Sequence, residues 1–581
     1  MRKVRLLTLL TLQLALLMPS WSPAHALNIE AEKEKYPVLF SMKTELDRNF
    51  AAMKSQGSSP VYFLAYRGLE GEHTSVSGKW GSLSDRSDPM RFRFAQVELR
   101  VGSPKLDNSH ILRGYNDSSV HVVSETLPID NNDIALRTIL WRLSDKAFWM
   151  AQKRFALIKA NKDVKVEELD QSDDFTIEQP QTFAAEPLNY KVNREEWEEK
   201  IRRLSGVFNK FPEIKDSYVR FTCGAQVNYL VSSEGSCIQD TCKSNIVSIY
   251  ADTVANDGMV LWLFDRFEAN NIDDLPSEEA LKAKIEDMAN KLKVLRSAPL
   301  AEPFVGPAIL NGKAAAVFFH ETLGHRLEGH RQKDEGEGRT FKEKVGTQIL
   351  PNFISIVDDP SRFKLNDTEL SGYYKFDDEG VPSRPVTLVD HGKLKGFLMS
   401  RSPVSGYPHS NGHGRCNYGT PPCARQGNLM VVADQSKTIS YDQLRAKLID
   451  EMKKQGKSYG LIFDEIAGGS TMTQVGEPQL FRLYPLLVTK VYADGRKDEM
   501  IRGVDIVGTP LASLEQIEAA SNETQIFNGE CGAESGWISV SASAPSLLVK
   551  TIEVQRKQKS DEKPPLLPDP SIIQAGAQER K

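Results

Sequence analysis

Apolar residues recur at helical spacing between positions 32 and 55, at Tyr36, Leu39, Phe40, Met42, Leu46, Phe50 and Met53, and predict an amphipathic helix. Strand-like runs follow at Tyr62–Tyr66 and Phe92–Val101, the second alternating imperfectly from Arg91 to Arg100 as a sheet with one wetter face would. A long helix is predicted from Asp133 to Ala160 on Leu136, Ile139, Leu140, Leu143, Phe148 and Phe155, with Asp130 to Asn132 as capping residues. Residues 164–190 are acidic and polar, carry Pro180 and Pro187, and read as a connecting arm. A helix at 194–208, strands around 217–232 and 246–267 and a helix at 277–295 complete this half; Pro299, Pro303 and Pro307 mark a change of domain.

Beyond that point the pattern changes to strands and glycine turns. Strands are predicted at Val386–Val389, Gly396–Ser400, Leu461–Phe463, Leu483–Val491 and Leu547–Val554, with one clear helix at 441–455. The expected fold class is α+β: an N-terminal α/β domain over 27–298, then a β-rich C-terminal domain over 299–555 that carries a buried helix with candidate chemistry. Residues 556–581 mix Lys, Glu, Asp and Pro with few large apolar groups and read as a disordered tail.

The 581 residues exceed what one core holds, and the composition, 40% hydrophobic and 26% charged, is that of a globular protein. The longest apolar run lies at the N-terminus, where Arg2, Lys3 and Arg5 precede Leu6–Met18, then Pro19, Pro23 and Ala24-His25-Ala26. This reads as a signal peptide cut after Ala26, predicting export, to the periplasm or beyond, and no membrane span in the mature chain. Cutting there takes the formal charge from −5 to −8 by removing three basic residues, and no basic run remains to attract nucleic acid. In an oxidising compartment Cys237 with Cys242, and Cys416 with Cys423, are candidate local disulfides that spacing leaves open.

The candidate chemistry sits on a helix that Asn311 can cap, running from Gly312 through an apolar stretch to His320-Glu-Thr-Leu-Gly-His325. Two imidazoles and a carboxylate at the end of a buried helix are costly unless paired or bound. Imidazole suits zinc, and Glu321 between the two histidines can take a proton from the water that such a metal activates. Histidines four apart lie about 40° apart around a helix, but five apart they lie about 140° apart. The chain must therefore end or widen by one residue near Gly324 for both rings to meet one metal.

The segment His320-Glu-Thr-Leu-Gly-His325-Arg-Leu-Glu328-Gly329 resembles the His-Glu-x-x-x-His signature of the TldD/PmbA metallopeptidases, and the likeness continues through Val357-Asp-Asp, Asp377–Pro382, Gly392–Gly396, Asn411–Arg415 and Gly529-Glu-Cys531-Gly. The resemblance implies zinc held by His320, His325 and Cys531, with Glu321 as general base. It further implies paired subunits, a homodimer or a heterodimer with a related chain, that take extended or unfolded peptides into an enclosed site. A branch that has lost the histidines serves as partner subunit, and this chain resembles the catalytic branch. It departs from the family in its leader and in Cys416 and Cys423, which place roles for Arg415, Arg425 and Asn428 in doubt.

Other residues keep open readings. Cys531 taken alone reads as a free thiol or a disulfide partner of Cys223, with metal binding as the alternative. Glu328 reads as a carboxylate that orients a histidine, with direct ligation as the alternative; His330 reads as a surface residue rather than a ligand, and His409 and His413 as solvated loop histidines, with a place lining the site as the alternative. Asp377, Asp378 and Glu379 read as a solvated turn, since the calcium-loop spacing is absent. Gly468-Gly469-Ser470 lacks the lysine of a phosphate loop. The function expected is zinc-dependent hydrolysis of peptides. The alternatives are a peptide-binding or maturation factor with structural zinc, and a hydrolase of non-peptide amides.

Overall fold

A computed structural model describes residues 29–112, 122–162 and 170–557. The leader read at 1–26 and the tail from 558 onward lie outside the described residues, as does the first part of the arm.

The first half is built on an antiparallel sheet. Strands β1 (Val61–Lys79), β2 (Met90–Ser103), β3 (Asp216–Ser232), β4 (Cys237–Val254) and β5 (Val260–Ala269) stand in the order β2-β1-β3-β4-β5. Helices α1 (Pro37–Met53) and α2 (Asp133–Lys162) cover one part of it. Helices α3 (Arg194–Ser205) and α4 (Glu278–Ser297) cover another. The caps follow the residue types: Asn132 accepts from Ala135 N, Asn193 from Glu196 N and Ser277 from Ala280 N.

Strands run further than the pattern predicts. The run read at 62–66 continues to Lys79, because Gly68, Glu70, Gly71 and Glu72 interrupt the apolar alternation while the backbone stays paired on both sides. The run read at 246–267 is two strands that reverse around Gly258 at φ 88°. Cys237 and Cys242 both lie on β4, five residues apart along an extended chain, beyond disulfide reach.

The second half is β-rich, as expected. Strand β6 (Phe304–Leu310) leads into α5 (Gly312–Phe319). Strands β7 (Ile354–Asp358), β8 (Val386–Asp390) and β9 (Asn428–Ala433) precede α6 (Tyr441–Lys454), whose N-terminus Ser440 and Gln443 close as a capping box. Strands β10 (Tyr459–Thr471), β11 (Phe481–Tyr492), β12 (Val504–Gly508), β13 (Ile517–Ala533) and β14 (Gly536–Arg556) follow. The pairings β6-β10-β11-β12-β14 close on themselves, since β6 bonds β10 on one edge and β14 on the other. The apolar helix α5 is buried against this ring and forms the core with it. That position accounts for its all-apolar face.

Gly396–Ser400 is not a strand. Leu398 makes one isolated bridge to Glu328, and the run from Phe397 to Ser400 is buried beside the chain that leaves the motif helix, so its apolar character reflects burial on all sides. The described part of the arm is extended, pairs briefly with β4 over 182–184, and bonds across to Arg401, whose side chain also holds Glu234. Among the described residues no helix is long and apolar enough to cross a membrane.

Candidate metal centre

Helix α5 ends at Phe319, and His320–Gly324 form one π turn in which the N–H of His325 donates to the carbonyl of His320. This widening by one residue lets histidines five apart share a face. Their rings stand 4.8 Å apart between centroids. Gly324 has an ordinary helical φ of −53°. Its need is space, because an added Cβ would sit 1.9 Å from the Gln426 side-chain oxygen.

Cys531 arrives from the other end of the sequence. It lies three positions before the turn of the β13–β14 hairpin, opposite Ile538, so the polar stretch around it is a strand end rather than a free turn. Its Sγ is 3.3 Å from His325 Nε2, and one donor atom from each of His320, His325 and Cys531 lies within 4.8 Å of the others. All three are buried, with Glu321, at 5–8% exposure.

The surroundings explain how three such groups tolerate burial. Glu328, fully buried, lies 3.3 Å from His325 Nδ1, which leaves Nε2 to face the thiol. Arg331 Nε donates to Glu328 at 2.9 Å, and Arg425 Nε stands 3.5 Å from its other oxygen. Burial alone would raise the Glu328 carboxyl, but His325 and Arg331 outweigh it and hold it down to about 2. Burial would likewise raise the Cys531 thiol, yet His325 and His320 hold it down to about 4, the thiolate a metal needs. Arg425 Nη2 braces that cysteine at its carbonyl, 2.8 Å, and at Sγ, 3.2 Å.

Glu321 is different. Burial raises its carboxyl above the usual range, against the pull of His320 and His325. Its carboxylate accepts no hydrogen bond from any described residue. Arg326 instead holds its backbone carbonyl at 3.0 Å and reaches Thr471, the last residue of β10, and Met472 just beyond it. Gly469, on β10, makes room: a Cβ there would lie 2.5 Å from Glu321 Cγ. Gly469 thus marks a close backbone approach, a signal that a glycine inside a strand carries, whereas Gly468 has open space around it and a φ of 149°.

The remaining sequence candidates separate. Glu328 orients His325, as one reading had it. His330 is neither at the surface nor with the first two histidines: it is half-buried, with Nε2 2.5 Å from Glu534 Oε1. His413 is fully buried between Asn411 and Asp358 rather than solvated, whereas His409 is exposed. The expected solvated turn at Asp377–Glu379 is instead a latch, in which buried Asp377 accepts the backbone N–H of Glu379, Val381 and Gly414. Arg415 holds the carbonyls of Gln426 and Ser539, and Asn428 those of Asp359 and Arg362, so both are scaffolding. Cys223 and Cys531 are both free thiols. Arg326 and Arg331 were not anticipated; in sequence they look like ordinary basic residues after a helix.

Residues 305–556 match the family model described as the PmbA/TldA metallopeptidase C-terminal domain. A metalloprotease of Archaeoglobus fulgidus is 24% identical over 332 residues, 57% of this chain and 68% of that protein. A metalloprotease TldD homolog of Haemophilus influenzae is 25% identical over 297 residues, 50% of this chain and 55% of that one. A zinc metalloprotease TldD homolog of Saccharolobus solfataricus is 24% identical over 381 residues, covering 62% and 77%. In fold the chain is similar to TldE of Thermococcus kodakarensis, with a TM-score of 0.58, 14% identity, and 88% of this chain and 99% of that one covered. A protein of Thermotoga maritima gives 0.56, 16%, 88% and 99%.

Proposed function

We propose that this chain, whose residues 305–556 carry the PmbA/TldD metallopeptidase C-terminal domain, is a zinc-dependent peptidase acting on extended or unfolded peptides. His320, His325 and Cys531 are its metal ligands and Glu321 its general base. One juxtaposition carries this reading: two imidazoles and a thiolate within 4.8 Å, beside the buried Glu321, whose carboxylate accepts no hydrogen bond among the described residues.

The donors fit zinc, which takes nitrogen and sulfur and, in catalytic sites, three protein ligands with one position left open. When bound, the ion supplies Lewis acidity, lowering the pKa of water and polarising a carbonyl. Glu321 takes a proton from water and later gives it to the leaving amine. Its raised proton affinity brings it nearer the working pH, where one group can serve as base and then acid. Glu328 fixes the His325 ring, Arg425 fixes Cys531, and Arg326 anchors Glu321 through the backbone. Because ligands and base are all nearly inaccessible, only a chain without tertiary structure can bring its backbone to them. Relatives named as metalloproteases, one of them a zinc metalloprotease, support the metal and the reaction class.

The test is Glu321→Gln, assayed on a mixture of unstructured peptides after zinc loading. We expect zinc content and melting temperature to match the parent and turnover to fall by about 10²–10⁴. Undiminished cleavage removes Glu321 from the mechanism. A parent that binds zinc and cleaves no peptide overturns the activity itself.

A further inference from the structure

The turn of the β13–β14 hairpin does more than reverse the chain after Cys531. Glu534, in that turn, points one carboxylate oxygen at His330 Nε2, 2.5 Å away, and the other at Arg331 Nη2, 2.8 Å away. Cys423, on the short strand Cys423–Ala424, completes a group in which one donor atom from each of His330, Cys423 and Glu534 lies within 4.8 Å of the others. The second imidazole nitrogen, His330 Nδ1, is buried and has no hydrogen-bond partner among the described residues.

We propose that His330, Cys423 and Glu534 form a second binding site, distinct from the first centre, for a borderline divalent cation of the zinc class. Imidazole, thiolate and carboxylate are the three side chains such an ion accepts. Donors on one tetrahedral zinc stand about 3.3–3.8 Å apart, so the Glu534 carboxylate must swing out by about 1 Å from His330. Its side chain is 45% exposed and can pivot about the oxygen that Arg331 holds. Arg331 holds the far oxygen and keeps the near one aimed at the site, the part an orienting group plays around a metal. The exposed side gives the ion an entry path and room for water.

The three ligands come from three separate segments: the turn of helix after His325, a two-residue strand and the hairpin turn. An ion here fastens the hairpin three residues beyond Cys531 to the chain five residues beyond His325, and so braces the first centre from outside. Cys423 is available for this, because its neighbour Cys416 is itself free and is engaged with Arg67. Arg331 bonds both Glu328 and Glu534 and so joins the two sites through one side chain.

The experiment counts metal rather than activity. The full chain is stripped with a chelator, then titrated with zinc and, separately, with cobalt, whose thiolate charge-transfer absorption reports a cysteine ligand. The parent should bind two equivalents. His320→Ala/His325→Ala should retain one, still showing the cobalt–thiolate band, and that band should vanish when Cys423→Ser is added. Cys423→Ser/Glu534→Gln should also retain one, and Glu534→Gln alone, with a parent-like circular dichroism spectrum, should weaken the second equivalent at least tenfold. A parent that binds one equivalent, or a Cys423→Ser/Glu534→Gln chain that still binds two, overturns the site and leaves a plain histidine–glutamate pair. If instead His320→Ala/His325→Ala loses nothing while the Cys423 variant loses one equivalent, the first centre falls and the second stands.

Discussion

Glu328→Gln tests how the first centre is held. The substitution keeps the volume but removes a fully buried negative charge that faces His325, Arg331 and Arg425, and it turns one acceptor into a donor among donors. The fall of this carboxyl from its ordinary 4.5 to about 2 corresponds to about 3 kcal/mol of stability at neutral pH. Breaking one side of a buried ion pair typically costs about 3–5 kcal/mol, so the two routes agree. Zinc affinity should fall about 10–100-fold with the loss of the group that orients His325. Because the folded-state pKa is depressed, the stabilisation is present above about pH 4.5 and is lost as pH falls through about 2. Urea denaturation of parent and variant at pH 7 and at pH 3, with zinc competition at pH 7, measures both effects. The stability gap should be wide at pH 7 and much narrower at pH 3. An unchanged midpoint at pH 7 together with a zinc affinity within twofold of the parent would refute this account of Glu328.

Gly324→Ala places a methyl group against the buried Gln426 amide; it should cost about 1–3 kcal/mol in thermal unfolding and lower zinc occupancy, and a neutral result would mean that the π turn does not need this contact. Burial and the neighbouring carboxylates push the carboxyls of Glu379 and Asp377 up together, and the pair keeps a proton in the fold that it releases on unfolding, so the parent should lose about 1 kcal/mol per pH unit for such a proton between pH 6 and 8.5. Glu379→Gln should flatten that slope in denaturation measured across the interval, and an unchanged slope would assign the loss to another group.

What could be read along the chain was local. The five-residue histidine spacing with a glycine before the second ring required a helix that ended or widened there, and the chain takes the second course. The helix cap at Asn132 was legible because capping is a matter of three or four neighbouring residues. Cys531, 206 residues from His325, entered only through a family likeness, since no periodicity links two such positions. The three arginines are the clearest losses. Arg326, Arg331 and Arg425 have the spacing of surface residues, and only distant segments bury them: the end of β10 covers Arg326, and the β13–β14 hairpin engages Arg331 and Arg425. Asp377 and His413 misled for the same reason: polar residues among glycines look solvated until the segments that cover them are known.

The arginines also bear on what happens when metal is removed. A zinc finger unfolds without its ion because little else pays for bringing its ligands together. In this centre two of the buried acidic groups already face cations: Glu328 meets Arg331 and Arg425, and the Cys531 thiolate meets Arg425 and His325. The hairpin carrying Cys531 is held by β14 along its whole length, and α5 sits within the apolar core. Chelation should therefore abolish activity while leaving near-ultraviolet circular dichroism and cooperative unfolding intact. Adding zinc to about 100 times its dissociation constant should return only about 2.7 kcal/mol, the mass-action term for one site. Loss of cooperative unfolding on chelation would mean that the arginine network does not balance the site and that the ion is part of the fold.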